Sequence, residues 1–222
     1  HLNIGNVPIN DIQVKNKDVL IATQGRAIWI LDNVSALHQI TSEVTVAESH
    51  LFAPRDGYRT STAAHLLGPN IDYYLPTPAS GTVTLDILDQ AGVIVNSYNS
   101  AQPPRGGRGG GGFGRRGGGL PAPSVTTSAG FNRVVWNVRD TEGLPVPPGQ
   151  YQVRMGVGGE SQTQRFNVLI DPRVEAGGVT VADLREQYEH NKRMNAMVAE
   201  VDALIERVRA AQDSDDNDLQ RR

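Results

Sequence analysis

The chain contains no cysteine. That excludes disulfides, thiolate metal ligands and cysteine nucleophiles, and it leaves the redox compartment open. Long apolar runs are also missing, and none approaches the ~18 residues a membrane-spanning helix requires. The hydrophobic fraction is 38% over 222 residues, low for a globular chain, partly because 24 residues are glycine and 13 are proline. A core must therefore come from segments outside the Gly/Pro-rich stretches. Neither sign of charge dominates: the formal net charge is −3, which supports no polyelectrolyte role. The first residue is His1 rather than Met. We read this as removal of an upstream piece, either a signal peptide or an expression tag.

Catalytic signatures are equally scarce. The five histidines, His1, His38, His50, His65 and His190, fall in no HExxH or HxH spacing. There is no GxSxG elbow, and the glycines at 109–112 lack the following Gly-Lys-Ser/Thr of a phosphate cradle. Glycoside hydrolysis needs two carboxylates ~5–9.5 Å apart across a sugar cleft. Asp32, Asp72, Asp86, Asp89 and Asp140 are available, but the pattern places them at strand ends and turns, where turn hydrogen bonding is the ordinary role. The expectation is a non-enzyme with no catalytic residue, no metal and no cofactor. A sugar site built from surface aromatics such as Trp29, Tyr73 and Tyr74 stays open.

What the chain does have is strand patterning. Residues 18–33 read DVLIATQGRAIWILDN. Two short apolar runs, 19–23 and 27–31, flank Gln24-Gly25-Arg26, which predicts a hairpin. Residues 1–17 form a polar lead-in or an extra strand, 34–42 a turn or helical piece, and 43–52 a second extended piece. Period-two alternation then marks 71–75, 81–88, 93–98, 131–139, 150–157 and 162–170 as strands. Trp136 is the expected core tryptophan, and Tyr151 begins a strand after a Pro-Pro-Gly turn. Six or seven short strands with turn signals between them predict an immunoglobulin- or fibronectin-like sandwich. Thr180-Val-Ala-Asp183 resembles a capping box. Apolar residues then recur at threes and fours from Val181 to Val208, which predicts an amphipathic helix of about 30 residues, ~45 Å long. The closing polar run is expected to fray. The fold class is thus mainly β: a hairpin segment over 1–70, a sandwich over 71–175 with an insertion at 102–123, and a long C-terminal helix with a tail over 176–222.

Two of these segments carry a resemblance. Residues 23–33 are similar to the T-H-G-R-x-x-W-x-L-D-D string in the last propeller blade of bacterial BNR-repeat glycosyl hydrolase-like proteins related to the sortilin/VPS10 propeller. Gln24 stands where that family has histidine. The spacing over 130–151, with Gly130, Phe131, Asn132, Trp136, Asp140, Gly143 and Tyr151, resembles the Ig-like domain found after propellers and in flagellar hook-capping proteins. Asp171-Pro172-Arg173 leading into the helix is similar too. The resemblance implies the C-terminal region of an exported propeller protein. It carries no catalytic residue across, because the family label rests on the propeller, of which this chain holds at most one blade.

Two further segments point to partners. The insertion QPPRGGRGGGGFGRRGGGLPAP presents Arg105, Arg108, Arg115 and Arg116 with one interleaved aromatic, Phe113. A surface loop, contact with a protein or membrane surface, and RGG-type nucleic-acid binding are its readings, the last disfavoured by the acidic chain. The helix carries an apolar stripe whose far end, with Met197, Val201, Leu204, Ile205 and Val208, would outreach a sandwich of roughly 100 residues. The expected function is a non-catalytic scaffold subunit, periplasmic or extracellular and extrinsic to a membrane assembly. A photosynthetic reaction centre–antenna complex is one compatible host, although no residue identifies it. The alternatives are a fragment of a propeller hydrolase-like protein and an RGG-type nucleic-acid binder.

Overall fold

The computed structural model describes residues 6–60, 68–101 and 124–220. Among the described residues eleven strands form three sheets, and a long helix follows them. The fold is mainly β, as the alternation predicts.

The first sheet has the order β1-β2-β3, with β1 Ile9–Lys15, β2 Asp18–Thr23 and β3 Ile28–Leu31, all antiparallel. The predicted hairpin is β2–β3, and the lead-in is a full strand. Asn16 and Lys17 make its turn at φ 53° and 64°, so a two-residue loop joins paired Lys15 and Asp18. That loop requires two left-handed residues, a conformation Asn accepts readily and Lys does not. The turn therefore carries no Asn-Gly signal.

A 3-10 turn (Leu37–Gln39) and a short helix α1 (Ser42–Val46) follow, the latter capped by the Thr41 hydroxyl accepting from the Val44 amide. The extended piece expected over 43–52 is thus half helical. Only β4 (His50–Leu51) is strand, because the Thr41 cap starts a helix in the polar stretch before it.

The sandwich packs a three-stranded sheet, β4-β6-β9, on a five-stranded one, β5-β11-β10-β7-β8. Its remaining strands are β5 Gly57–Arg59, β6 Asn70–Leu75, β7 Thr84–Asp89, β8 Ile94–Asn99, β9 Gly130–Val135, β10 Gly149–Val157 and β11 Glu160–Ile170. All neighbours are antiparallel except β5, which runs parallel to β11. In immunoglobulin terms the orders are A-B-E and A′-G-F-C-C′, the latter extended by the parallel A′ strand. The sandwich draws β4 and β5 from residues upstream of 71.

The core lies between the two sheets. Leu51, Ile71, Tyr73, Val83, Leu85, Ile87, Trp136 and Val153 are fully buried. Trp136 sits edge-on to Tyr151 at 5.4 Å and to Phe166 at 5.9 Å, and its indole N–H donates to the Arg139 carbonyl at 3.0 Å. The Tyr151 hydroxyl donates to the Pro147 carbonyl at 2.7 Å, a tyrosine corner that pins the loop entering β10. Gly68 is required by contact: a Cβ there would lie 1.9 Å from the Trp136 carbonyl oxygen.

Asp171 follows β11 and caps α2 (Pro172–Ala176) by accepting from the Arg173 amide, while the Arg173 guanidinium forks its two carboxylate oxygens at 3.0 and 2.7 Å. α3 spans Val181–Gln220. At 1.5 Å per residue it is ~60 Å long. Its capping box forms as expected: the Thr180 amide donates to Asp183 Oδ2 at 2.8 Å, and the Asp183 amide donates to Thr180 Oγ1 at 3.2 Å. The polar run expected to fray is helical to Gln220. No glycine or proline follows Gly178 to stop it.

Candidate partner-binding surfaces

The N-terminal sheet has an unusual distribution of side chains. Its register places Ile12, Val14, Val19, Ile21, Trp29 and Leu31 on one face. The other face carries Leu20, Ala22, Ile28 and Ile30 beside Asp11 and Gln13. Both faces are thus rich in large apolar groups, and both meet solvent: Ile12 is 56% exposed, Val14 65%, Ile28 66% and Ile30 64%. A sheet with one water-facing side alternates apolar and polar residues, whereas apolar groups on both sides mark a sheet made to lie between two layers. The apolar runs over 19–23 and 27–31 were legible in the sequence, and what the structure adds is that both of the faces they form meet solvent.

Polar contacts fix this sheet to the sandwich. The Asn33 amide donates to Asp18 Oδ1 at 2.8 Å, and Arg55 Nη1 reaches the same oxygen at 3.0 Å. These contacts, the Asn33 amide foremost, hold the Asp18 carboxyl below its ordinary pKa. The Val34 amide donates to the Lys17 carbonyl at 2.7 Å. On the sandwich side Arg133 forks Asp72, Nε to Oδ1 at 2.6 Å and Nη2 to Oδ2 at 3.0 Å, and its Nη groups also donate to the Asp32 and Asn33 carbonyls. Asp72 is buried, and its hydrogen bond raises the Arg133 pKa further. One guanidinium therefore ties β6 and β9 to the end of β3.

An open cleft of about 530 Å³ is lined by Gln39, Glu43, His50, Gln162 and Gln164 among others. Its amides are engaged within the chain. Gln39 brackets Ala53 through its amide and carbonyl, and Gln162 does the same for the backbone at Leu51 and Ser49. Gln164 donates to the Leu51 carbonyl, so these side chains cover one edge of β4. His50 has its pKa lowered by burial.

The expected carboxylates all have structural partners. Asp89 accepts from the Ala91 and Val93 amides, and Asp140 from the Glu142 and Leu144 amides and the Tyr188 hydroxyl. Asp72 and Asp86 differ from the expected placement, since both lie within strands and pair with Arg133 and Arg154. An arginine across the sheet lets a carboxylate occupy a strand interior. Asp32 faces Arg55 at 3.9 Å. Among the described residues no cluster of three or more His, Asp or Glu could hold a metal. His38 and His190 are exposed. Tyr73 is buried and Tyr74 half-buried, so of the three aromatics Trp29, on the exposed sheet, is the one beside an open apolar surface.

α3 divides along its length. Its first turns lie on the sandwich. Arg59 donates to the Leu184 carbonyl and to Gln187, Tyr188 packs against the core and donates to Asp140 Oδ2 at 2.9 Å, and Asn195 donates to Glu142. Desolvation and that hydrogen bond push the Tyr188 hydroxyl pKa up. Beyond Asn195 the helix leaves the sandwich. Met197, Val201, Leu204, Ile205 and Val208 are all exposed, together with Met194 and Val198. Arg105, Arg108, Phe113, Arg115 and Arg116 lie outside the described residues.

No family model and no curated protein matches the chain. Among solved structures, PorZ, described as a bacterial surface component of the type-IX secretion system of Porphyromonas gingivalis, matches over 73% of this chain with a TM-score of 0.29 and 16% identity. The chain spans about a quarter of that protein, 23% of its length. A likeness this low carries no argument about role. Among the described residues no helix is long and apolar enough to cross a membrane.

Proposed function

We propose that the chain is a non-catalytic scaffold subunit of an exported assembly, joined to it through the β1–β3 sheet. The observation that carries this reading is the sheet's two apolar faces, held at a set position by Arg133 and Asp18 and left open to solvent. Large exposed apolar patches on a folded chain mark interaction surfaces. Residue similarity to the post-propeller region of BNR-repeat proteins supports export and a role outside the cytoplasm, extrinsic to any membrane partner.

The test is native purification in mild detergent from source cells, with mass spectrometry of what co-migrates. Wild-type chain and an Ile12→Asp/Ile30→Asp variant are compared. Stoichiometric partners lost with the variant are expected. A chain migrating alone contradicts the reading.

The two-faced sheet also favours a second reading. In a propeller each blade packs between two neighbouring sheets, and β1–β3 would suit one blade of a propeller supplied by the same polypeptide. An intact mass far above that of these 222 residues supports this alternative. A native protein of this length excludes it.

A further inference from the structure

We propose that the free half of α3 pairs antiparallel with the same segment of a second copy of this chain. The inference goes beyond the interaction-subunit reading, which concerns the β1–β3 sheet, and stands on α3 alone. The helical positions that touch the sandwich are Leu184, Gln187, Tyr188 and Asn195. At 3.6 residues per turn, the stripe Met194, Met197, Val198, Val201, Leu204, Ile205, Val208 is centred roughly 110° around the helix from them. The chain's own sandwich cannot cover it without unwinding those contacts, and all seven side chains are 41–58% exposed.

The stripe has heptad form. Met194, Met197, Val201, Leu204 and Val208 alternate by three and four, the a/d seam of a coiled coil, with Val198 and Ile205 at e and Glu200 and Arg207 at g. The g residues choose the arrangement. In a parallel pair Glu200 would face Ile205 and Arg207 would face Gln212, and neither charge would meet its opposite. In an antiparallel pair with its two-fold axis between residues 202 and 203, Val201 meets Leu204 of the second copy and Met197 meets Val208. The same register sets Val198 against Ile205, and Glu200 against Arg207, twice by symmetry. Among the described residues Glu200 and Arg207 make no ion pair within the chain, whereas neighbouring Arg209 is engaged by Glu206. One register thus satisfies the a/d layers, the e positions and both g charges. It also sends the two sandwiches to opposite ends, clear of one another.

The chain's lack of cysteine makes the test direct. Val201→Cys and Leu204→Cys chains are mixed and oxidised in dilute solution. The antiparallel register predicts a cross-linked heterodimer in excess of either homodimer. In sedimentation equilibrium the wild-type chain shows concentration-dependent dimers. Glu200→Arg weakens association at least several-fold, and adding Arg207→Glu restores it. A chain that stays monomeric to about 1 mM, an affinity limit of ~4 kcal/mol, overturns the proposal. So does preferential Val201→Cys homodimer formation. Neither result touches the β1–β3 sheet, whose partners are read separately by its own variants.

Discussion

The strands of the sandwich alternate apolar with polar residues, the N-terminal sheet is built around unbroken apolar runs in β2 and β3, and the two end in opposite environments. In β7 and β10 the apolar positions Leu85, Ile87, Val153 and Met155 are sealed at 0–1% exposure, with polar groups turned outward. In β1–β3 the apolar positions occur on both faces, and β1 is exposed throughout. Alternation marks a strand with one buried face, whereas an unbroken apolar run puts apolar groups on both faces whether or not the chain covers them. The sandwich supplies its second layer. Among the described residues, none covers the faces of the sheet or the far half of α3 in the same way.

The largest effect that breaks this comparison is in the core. Trp136→Ala should cost about 3–5 kcal/mol in denaturant unfolding, and Gly68→Ala should also destabilise severely because its Cβ meets the Trp136 carbonyl. Ile30→Ala, on a side chain already 64% exposed, should stay within about 0.5 kcal/mol in the isolated chain. An equal loss at Ile30 would show that the sheet packs within its own chain. Next is the joint between the two regions. Arg133→Ala strands the buried Asp72 carboxylate and frees the Asp32 and Asn33 carbonyls. A loss of about 1–3 kcal/mol is expected, together with faster amide exchange in β1–β3. Tyr151→Phe removes one buried hydrogen bond and should cost about 1 kcal/mol. The Tyr151 hydroxyl is pushed up to about 12 by desolvation and by Asp89, so it should stay protonated in a spectrophotometric titration through pH 10.

The smallest effect is the pH response of Asp18 at the joint and of His50 in the cleft. His50 and Asp18 both have folded pKa values below their ordinary ones, His50 by burial and Asp18 chiefly by the Asn33 amide with Arg55. The unfolded chain therefore binds more protons than the folded one as acid is added. Stability should be full above pH 6.5, decline as His50 is forced to protonate below its ordinary value of 6.5, and decline again below 3.8 as Asp18 loses its charge. His50→Gln should flatten the first step alone in a series of thermal melts.

Much of the sandwich was legible in the sequence because burial on one face of a strand leaves a period-two trace. Trp136, Tyr151 and the Thr180–Asp183 cap were equally plain. The tyrosine corner was not, since its acceptor is a backbone carbonyl. β4 and β5 were too short to show a period. The Asn16-Lys17 turn lacked glycine, and the helical tail lacked the apolar stripe by which the rest of α3 was recognised. Of the candidate surfaces, the helix stripe was readable from spacing alone. The two-sided character of β2 and β3 was implicit in their unbroken apolar runs, because consecutive strand residues point to opposite faces; what needed the structure was the exposure of both faces and the pairing with β1.

The most direct test is amide hydrogen exchange on the native assembly and on the isolated chain, side by side. The account predicts that β7, β10 and β11 exchange equally slowly in both, while β1–β3 is slow only in the assembly. Equal protection of β1–β3 in the two samples would contradict it.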